Sequence, residues 1–241
     1  MRIATFQGIR GGVGTTSISA LVAEALHQQG EHVLIIDANP SDMLRLFFNV
    51  PQGDALGWAS ALHQSRPWHE AAYQIEANFD LLPYGRNGIA SSASTQDTSR
   101  HAVFWNTALD RLSDTFSWLV FDLPFGAPDY ERLQVRADLD IRIARPDAGC
   151  HILLSQTPLP ETSRLLASMY DPSRQLEGDI LLDWRHRYAQ QMVPFPIHLD
   201  EAIHEALAQK TTVQLSSPDS MGSSDAHTLA TWFRTQSRRL P

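Results

Sequence analysis

Between residues 6 and 17 the chain reads FQGIRGGVGTTS, a glycine-rich turn set between an apolar strand and an amphipathic helix, and no other stretch constrains the fold as strongly. The preceding RIATFQ reads as a strand. After the turn, Ile18, Leu21, Val22, Ala25 and Leu26 recur at spacings of three and four, which puts them on one face of a helix. Gly30 stands where that helix should stop, because glycine accepts the left-handed conformation that closes a helix C-terminus. The next segment, HVLIID, is continuously apolar, as expected of a strand buried on both faces. Strand, glycine turn, helix and strand make a βαβ unit, which requires a parallel sheet and a right-handed crossover.

The rest of the chain repeats the alternation. Further strands are predicted at FDLLPY (79–84), SWLVFDLP (117–124), LDIRIAR (139–145), SRLLASMY (163–170) and MVPFPI (192–197). Helices are predicted over 99–116, with Val103, Phe104, Leu109, Leu112 and Phe116 on one face, and over 173–190, with Pro172 in the opening turn. GRNGIASSASTQD (85–97) and SSPDSMGSSD (216–225) have loop composition, the second preceding a terminal helix at about 225–237. The expected fold class is α/β: one domain over 1–241, built on a doubly wound, mostly parallel sheet with helices on both faces.

Composition narrows the function. A net charge of −8 does not suit a surface built to hold nucleic acid, whose affinity rests on many cationic contacts to phosphate. The single cysteine, Cys150, excludes an internal disulfide and cysteine-rich metal centres. No run is long and apolar enough for a leader or a membrane span, so a cytoplasmic location is expected. The ten histidines form no HExxH-type cluster, and His186 and the Cys150/His151 pair read as packing or surface residues. Trp58, Trp68, Phe47 and Phe48 read as core.

A phosphate-binding loop wraps an anion in backbone N–H groups, adds a lysine, and holds Mg²⁺ with a Ser/Thr hydroxyl. Here Gly11, Gly12 and Gly14 supply the curl, Thr16 the hydroxyl, and the helix that follows its positive end. The lysine position holds Thr15. Two other readings exist: a purely structural turn, and a dinucleotide-binding turn in which Gly12 and Gly14 are followed by Ser17 at the third glycine position. Asp122, after four apolar residues, suits a carboxylate facing Mg²⁺ from the end of a buried strand, and Asp37 ends its strand in the same way.

RGGVGTT is similar to the deviant Walker A loop KGGxxGK[ST] of the MinD/ParA family of P-loop ATPases, matching at Gly11, Gly12, Gly14 and Thr16 and departing at Arg10 and Thr15. VLIIDANPSD resembles that family's switch I, WLVFDLPFG its Walker B strand and switch II, and IHLDEAIHEA its IPxDxxVxEA segment, at Ile197, Asp200, Glu205 and Ala206. The arginine and threonine substitutions together with DANP are similar to the cellulose-biosynthesis, BcsQ-type branch. The resemblance implies ATP and Mg²⁺ as cofactors, with Ile9, Arg10, Gly11, Gly12, Val13, Gly14, Thr15, Thr16 and Ser17 around the phosphates. Ser168 and Ile197 would lie near the base, and Thr16, Asp122 and Asp37 near the metal. It implies a homodimer in which Arg10 reaches the partner's phosphates. It also implies subunits of a bacterial cellulose secretion complex as partners, including a small companion, with any membrane recruitment indirect.

Losing a charged hydrogen bond costs roughly 1.5 to 3 kcal/mol, so a loop without its lysine should bind nucleotide about one to two orders of magnitude more weakly unless another cation substitutes. Lys210 is the only lysine in the chain and lies far from the loop in sequence; Arg10 is the candidate. No catalytic residue is assigned. Asn39 occupies the family's water-orienting position, and an amide can position water but cannot take its proton. Slow or absent hydrolysis is expected, and with it a nucleotide-gated assembly subunit. A cycling positioning ATPase and a scaffold that binds no nucleotide are the alternatives. The terminal helix is expected to dock on the fold, although Trp232, Phe233, Arg234, Arg238 and Arg239 offer a short amphipathic surface.

Overall fold

The computed structural model describes residues 1–85, 95–112 and 115–236. Its strands are β1 (Arg2–Gly8), β2 (Val33–Asp37), β3 (Tyr73–Glu76), β4 (Phe79–Leu82), β5 (Trp118–Leu123), β6 (Leu139–Ala144) and β7 (Ser163–Ala167). The helices are α1 (Thr15–Gln28), α2 (Trp58–His63), α3 (Thr95–Ala108), α4 (Glu131–Arg136), α5 (Ala148–Gln156), α6 (Gln175–Arg187), α7 (Glu201–Ala208), α8 (Val213–Ser216) and α9 (Met221–Thr235). The strands form one sheet of seven in the order β3-β4-β2-β5-β1-β6-β7. Every neighbouring pair is parallel except β3 and β4.

Side chains on a strand alternate between faces, and the sequence uses both. Val33 and Ile35 of β2 and Trp118 and Val120 of β5 pack into the layer that contains α1 and α9. Their neighbours Leu34, Ile36, Leu119 and Phe121 pack on the other face with Trp58, Trp105 and Leu133 from α2, α3 and α4. The doubly wound α/β architecture expected from the sequence is therefore present. β5 is the central strand with β1 beside it, and the chain leaves β1 first towards β2 and later, through β6, towards β7. Loops at the carboxyl ends of β1, β2 and β5 consequently gather at one edge, the position where such sheets bind ligands.

Several boundaries differ from the sequence expectation. MVPFPI is not a strand: Pro194 and Pro196 have no N–H to donate, and the segment only touches β7 through Val193 N to Leu165 O and Ile197 N to Ala167 O. β7 stops at Ala167, before Met169 turns to a φ of 51°. The short edge strand β3 was not expected, because YQIE carries little apolar signal and alternates half-buried and exposed residues. Helix α3 starts earlier than expected and gives way to a 3₁₀ turn at Leu109–Arg111, so Trp105, Ala108 and Leu109 are buried and Val103 is exposed. Of the expected loop 85–97, residues 86–94 lie outside the described residues and 95–97 belong to α3. Pro172 precedes α6 instead of opening it.

The terminal helix begins at Met221, not 225, because the Ser220 hydroxyl accepts from Ser223 N and caps it. It docks as expected. Phe233 stacks on Phe6 at 5.7 Å, and Arg2 donates to the carbonyls of Phe233 and Arg234 at 3.3 and 3.0 Å. Ser237, Arg238 and Arg239 lie outside the described residues. Trp58 and Phe47 are buried and Trp68 and Phe48 pack against the core, as read from the sequence. Among the described residues no helix is long and apolar enough to cross a membrane.

Candidate functional site

β1 ends at Gly8, and the loop from Ile9 to Gly14 folds back over that residue. A Cβ on Gly8 would lie 2.7 Å from the Arg10 carbonyl and 2.8 Å from both Thr15 Oγ1 and Val13 Cγ2, so only glycine lets the loop close so tightly. Gly12 and Gly14 take φ of 76° and 83°, conformations that L-residues with side chains resist. Gly14 then caps α1 without any side-chain hydrogen bond, leaving the first-turn amides and the positive end of the helix dipole for a ligand. The underside of the loop is pinned twice: Ile9 N donates to Ile143 O at 2.8 Å, and the Ser168 hydroxyl donates to Val13 O at 2.8 Å.

At the first turn of α1, Thr16 Oγ1 donates to Asp122 Oδ2 at 2.7 Å. Asp122 lies at the end of β5, directly beside Asp37 of β2 in the parallel register, and both carboxylates are buried. Burial pushes the Asp122 carboxyl up to about 7, against the opposing effect of the Thr16 hydroxyl bond and of the nearby Ser19 hydroxyl, which itself donates to the Thr15 carbonyl at 2.9 Å. Asp37 is also raised well above the usual carboxylate range, first by burial and then by the charges of Asp122 and Asp42. The two acids differ in how they are satisfied. Asp37 accepts Asn39 N on Oδ1 and Leu44 N on Oδ2, whereas Asp122 Oδ1 is buried with no hydrogen-bond partner among the described residues.

An unpaired buried carboxylate oxygen beside a hydroxyl is a donor set that fits a hard cation. Thr16 and Asp122 therefore fit Mg²⁺, which binds through few protein ligands and completes its shell with water and phosphate oxygens. Asp37 serves chiefly to fix the segment after β2, a role reinforced by Trp58, whose indole donates to the Asp37 carbonyl at 2.7 Å. Asn39 is likewise occupied: its side-chain oxygen accepts Ser41 N at 3.1 Å in a local turn. Among the described residues no group of three or more His, Cys, Asp or Glu side chains is placed to hold a metal.

Arg10 bridges its own loop and the start of α5. Its guanidinium donates to Asp147 Oδ2 at 2.5 Å and to Gly11 O at 2.9 Å, and Asp147 is itself the N-cap of α5 through Cys150 N. Partial burial would lower the arginine pKa, but the Asp147 carboxylate outweighs it and the net direction is upward. Burial by itself would raise the Asp147 carboxyl; the Cys150 amide and Arg10 hold it below the usual range instead. Thr15 supplies no charge, its hydroxyl lying against Gly8.

Beside the loop opens a shallow cleft lined by Gly14, Ser17 and Ile18 on one side and by Met169, Ile197–Asp200, Ile203 and His204 on the other. Ile197 lines it as the sequence implied. Ser168 does not: it is fully buried beneath Val13 and holds the loop instead of facing a base. Gly8 was missed as a loop residue because the glycine signal was read from Gly11 onward. The available cue was a small residue at the end of an otherwise apolar strand.

With this geometry, comparison with known proteins is informative. A family model described as cellulose biosynthesis protein BcsQ matches residues 1–233. The chain belongs to the BcsQ family. It is 37% identical over 235 residues to the cellulose biosynthesis protein BcsQ of Salmonella typhimurium strain LT2, covering 96% of this chain and 94% of that one. Among solved structures it is similar to the septum site-determining protein MinD of Pyrococcus horikoshii OT3 in complex with Mg-ADP, with a TM-score of 0.71 at 18% identity over 97% and 96% of the two chains. It is also similar to an ATP complex of Cyanothece McdA, with a TM-score of 0.74 at 19% identity over 96% of each. At these identities the structural neighbours establish the P-loop NTPase fold of the MinD/ParA group, and the family membership rests on the sequence relatives.

Proposed function

We propose that this protein binds ATP with Mg²⁺ at Gly8–Ser17, dimerises in response, and serves as a nucleotide-gated assembly subunit in bacterial cellulose synthesis and secretion. The observation that carries the nucleotide site is the Thr16 hydroxyl on Asp122, whose other oxygen is unpaired, at the start of a helix that the glycine loop leaves without a side-chain cap. The MinD and McdA complexes, with their bound Mg-ADP and ATP, support the same choice of ligand. The family assignment supports the cellulose role.

The loop amides and the α1 N-terminus hold the phosphates, and Ser168 keeps the loop rigid while they do so. A bound magnesium ion neutralises phosphate-oxygen charge, and Thr16 and Asp122 are the side chains that would hold it. Hydrolysis is slow or absent. Thr15 brings no positive charge to the phosphoryl oxygens, and Asn39, at the water-orienting position, is an amide that cannot take a proton from water. Arg10 is the cation nearest the loop, and reaching a partner's phosphates requires it to leave Asp147. Dimerisation thus exchanges one anionic partner of Arg10 for another.

The test combines mass and nucleotide state. Purified protein with MgATP should elute as a dimer by light scattering and still contain triphosphate after hours, whereas the nucleotide-free protein should be monomeric. Arg10→Ala should bind ATP and stay monomeric. Steady turnover abolished by Thr16→Ala would instead indicate a cycling ATPase, and absence of any ATP or ADP binding with magnesium present would indicate a scaffold without nucleotide.

A further inference from the structure

β1 and β5 are paired from Arg2 with Trp118 to Gln7 with Leu123, and there their ladder stops. Gly8 pairs with Ile143 of β6 but with no residue of β5, since the chain is already turning into the phosphate loop. The carbonyl just past β5, that of Pro124, accepts the side-chain amide of Gln7 instead, Nε2 donating at 2.9 Å. A side chain thus takes over where the backbone ladder ends.

Gln7 is buried on the side of the sheet that carries α4. Its Oε1 accepts Gln134 Nε2 of α4 at 2.9 Å and an N–H of Arg142 of β6. An amide carbonyl has two lone pairs, so this oxygen is fully used. Arg142 is in turn held by Asp140 at 3.1 Å, and Asp140 accepts the hydroxyls of Thr5 and Ser163 at 2.9 and 2.5 Å. The connection from Pro124 to Gln134 is therefore fastened at both ends to one side chain that is itself braced on β6. Its tip is held far less. Phe125 is 58% exposed, Gly126 takes a φ of 69°, and a Cβ on Gly126 would meet nothing within 4 Å. Ala127 and Tyr130 are buried again beyond it.

We propose that Gln7 is a positioning residue that relays occupancy of the phosphate loop to the β5–α4 connection, through its amide bonds to Pro124 and Gln134. This rests on nucleotide binding at the loop and adds a route by which that binding is felt elsewhere. Gln7 is one peptide away from Gly8, over which the loop folds too tightly for a Cβ. A loop drawn onto an anion moves that peptide and the amide with it. Pro124 and Gln134 must follow or give up their bonds to Gln7, and the exposed tip is the part free to yield.

The experiment is hydrogen exchange by mass spectrometry on the full chain with magnesium, with and without ATP, in wild type, Gln7→Glu and Gln7→Met. Calorimetric titration with inorganic tripolyphosphate accompanies it. Gln7→Glu still accepts from Gln134 and Arg142 but cannot donate to Pro124, whereas Gln7→Met keeps the length and loses every bond. In wild type, ATP should slow exchange by about fivefold or more both at 9–17 and at 125–134. Both variants should keep the slowing at 9–17 and a tripolyphosphate affinity within about threefold of wild type, while the slowing at 125–134 falls below about twofold. A merely structural role would not separate the two segments. Slowing at 9–17 alone in wild type, slowing at 125–134 that survives in Gln7→Glu, or loss of tripolyphosphate affinity in both variants overturns the relay and leaves the phosphate site standing. Failure of wild type to bind ATP and tripolyphosphate overturns both.

Discussion

Asp122→Asn should act in opposite directions on stability and on ligand binding, and this makes it the sharpest test of the site. In the metal-free protein the Asp122 carboxyl is buried and raised from its ordinary value near 3.8 to about 7. At ~1.36 kcal/mol per pKa unit, this corresponds to ~4 kcal/mol of differential interaction between its two protonation states. Between about pH 4 and pH 7 the folded chain keeps this proton while the unfolded chain has released it. Stability contributed by the neutral acid is therefore fully present below the unfolded pKa and lost as pH rises through the folded one. The asparagine variant is never charged at this position, and its side-chain oxygen can still accept the Thr16 hydroxyl. Urea unfolding in EDTA should find the two proteins similar below about pH 4, the variant ahead by roughly 1–2 kcal/mol at pH 5, and ahead by up to ~4 kcal/mol at pH 8. Addition of MgATP should reverse the order, because wild type gains the linkage energy of a bound ligand and the variant loses its cation contact. If the variant is no more stable than wild type at pH 8 without metal, Asp122 is not an uncompensated buried acid and the case for a cation beside it fails.

Gly8→Ala places a Cβ 2.7 Å from the Arg10 carbonyl, so the loop must open; thermal unfolding should show a loss of about 1–3 kcal/mol, and MgATP should no longer raise the melting temperature. Ser168→Ala removes the donor to the buried Val13 carbonyl and should cost about 1–3 kcal/mol. It should weaken ATP and tripolyphosphate equally in calorimetry, whereas a base-reading Ser168 would change ATP alone. Asp200→Ala unties Ala202 N and Gly222 N together and should destabilise by about 1–3 kcal/mol in urea titration, with α9 amides exchanging hydrogen faster than in wild type.

How much of this was legible in the sequence depends on whether a feature is encoded locally. The βαβ unit was legible because the apolar period of α1 and the continuous run of β2 are set by which faces are buried, and burial leaves a pattern within a dozen residues. The phosphate loop was legible because positive φ at Gly12 and Gly14 demands glycine at those positions. MVPFPI failed because apolarity was weighed above the missing donors of Pro194 and Pro196, and β3 because an edge strand needs only one buried face. The roles of Ser168, Asp147 and Gln7 were illegible for another reason: each is defined by a partner far along the chain. Ser168 meets Val13, Asp147 meets Arg10, and Gln7 meets Pro124 and Gln134. Ser168 shows the consequence. Its position after a strand was compatible with facing a base or with bracing the loop, and only the placement of Val13 O above it decides for the brace. The same holds for Asn39, whose side-chain oxygen accepts Ser41 N in a local turn that only the fold after β2 reveals.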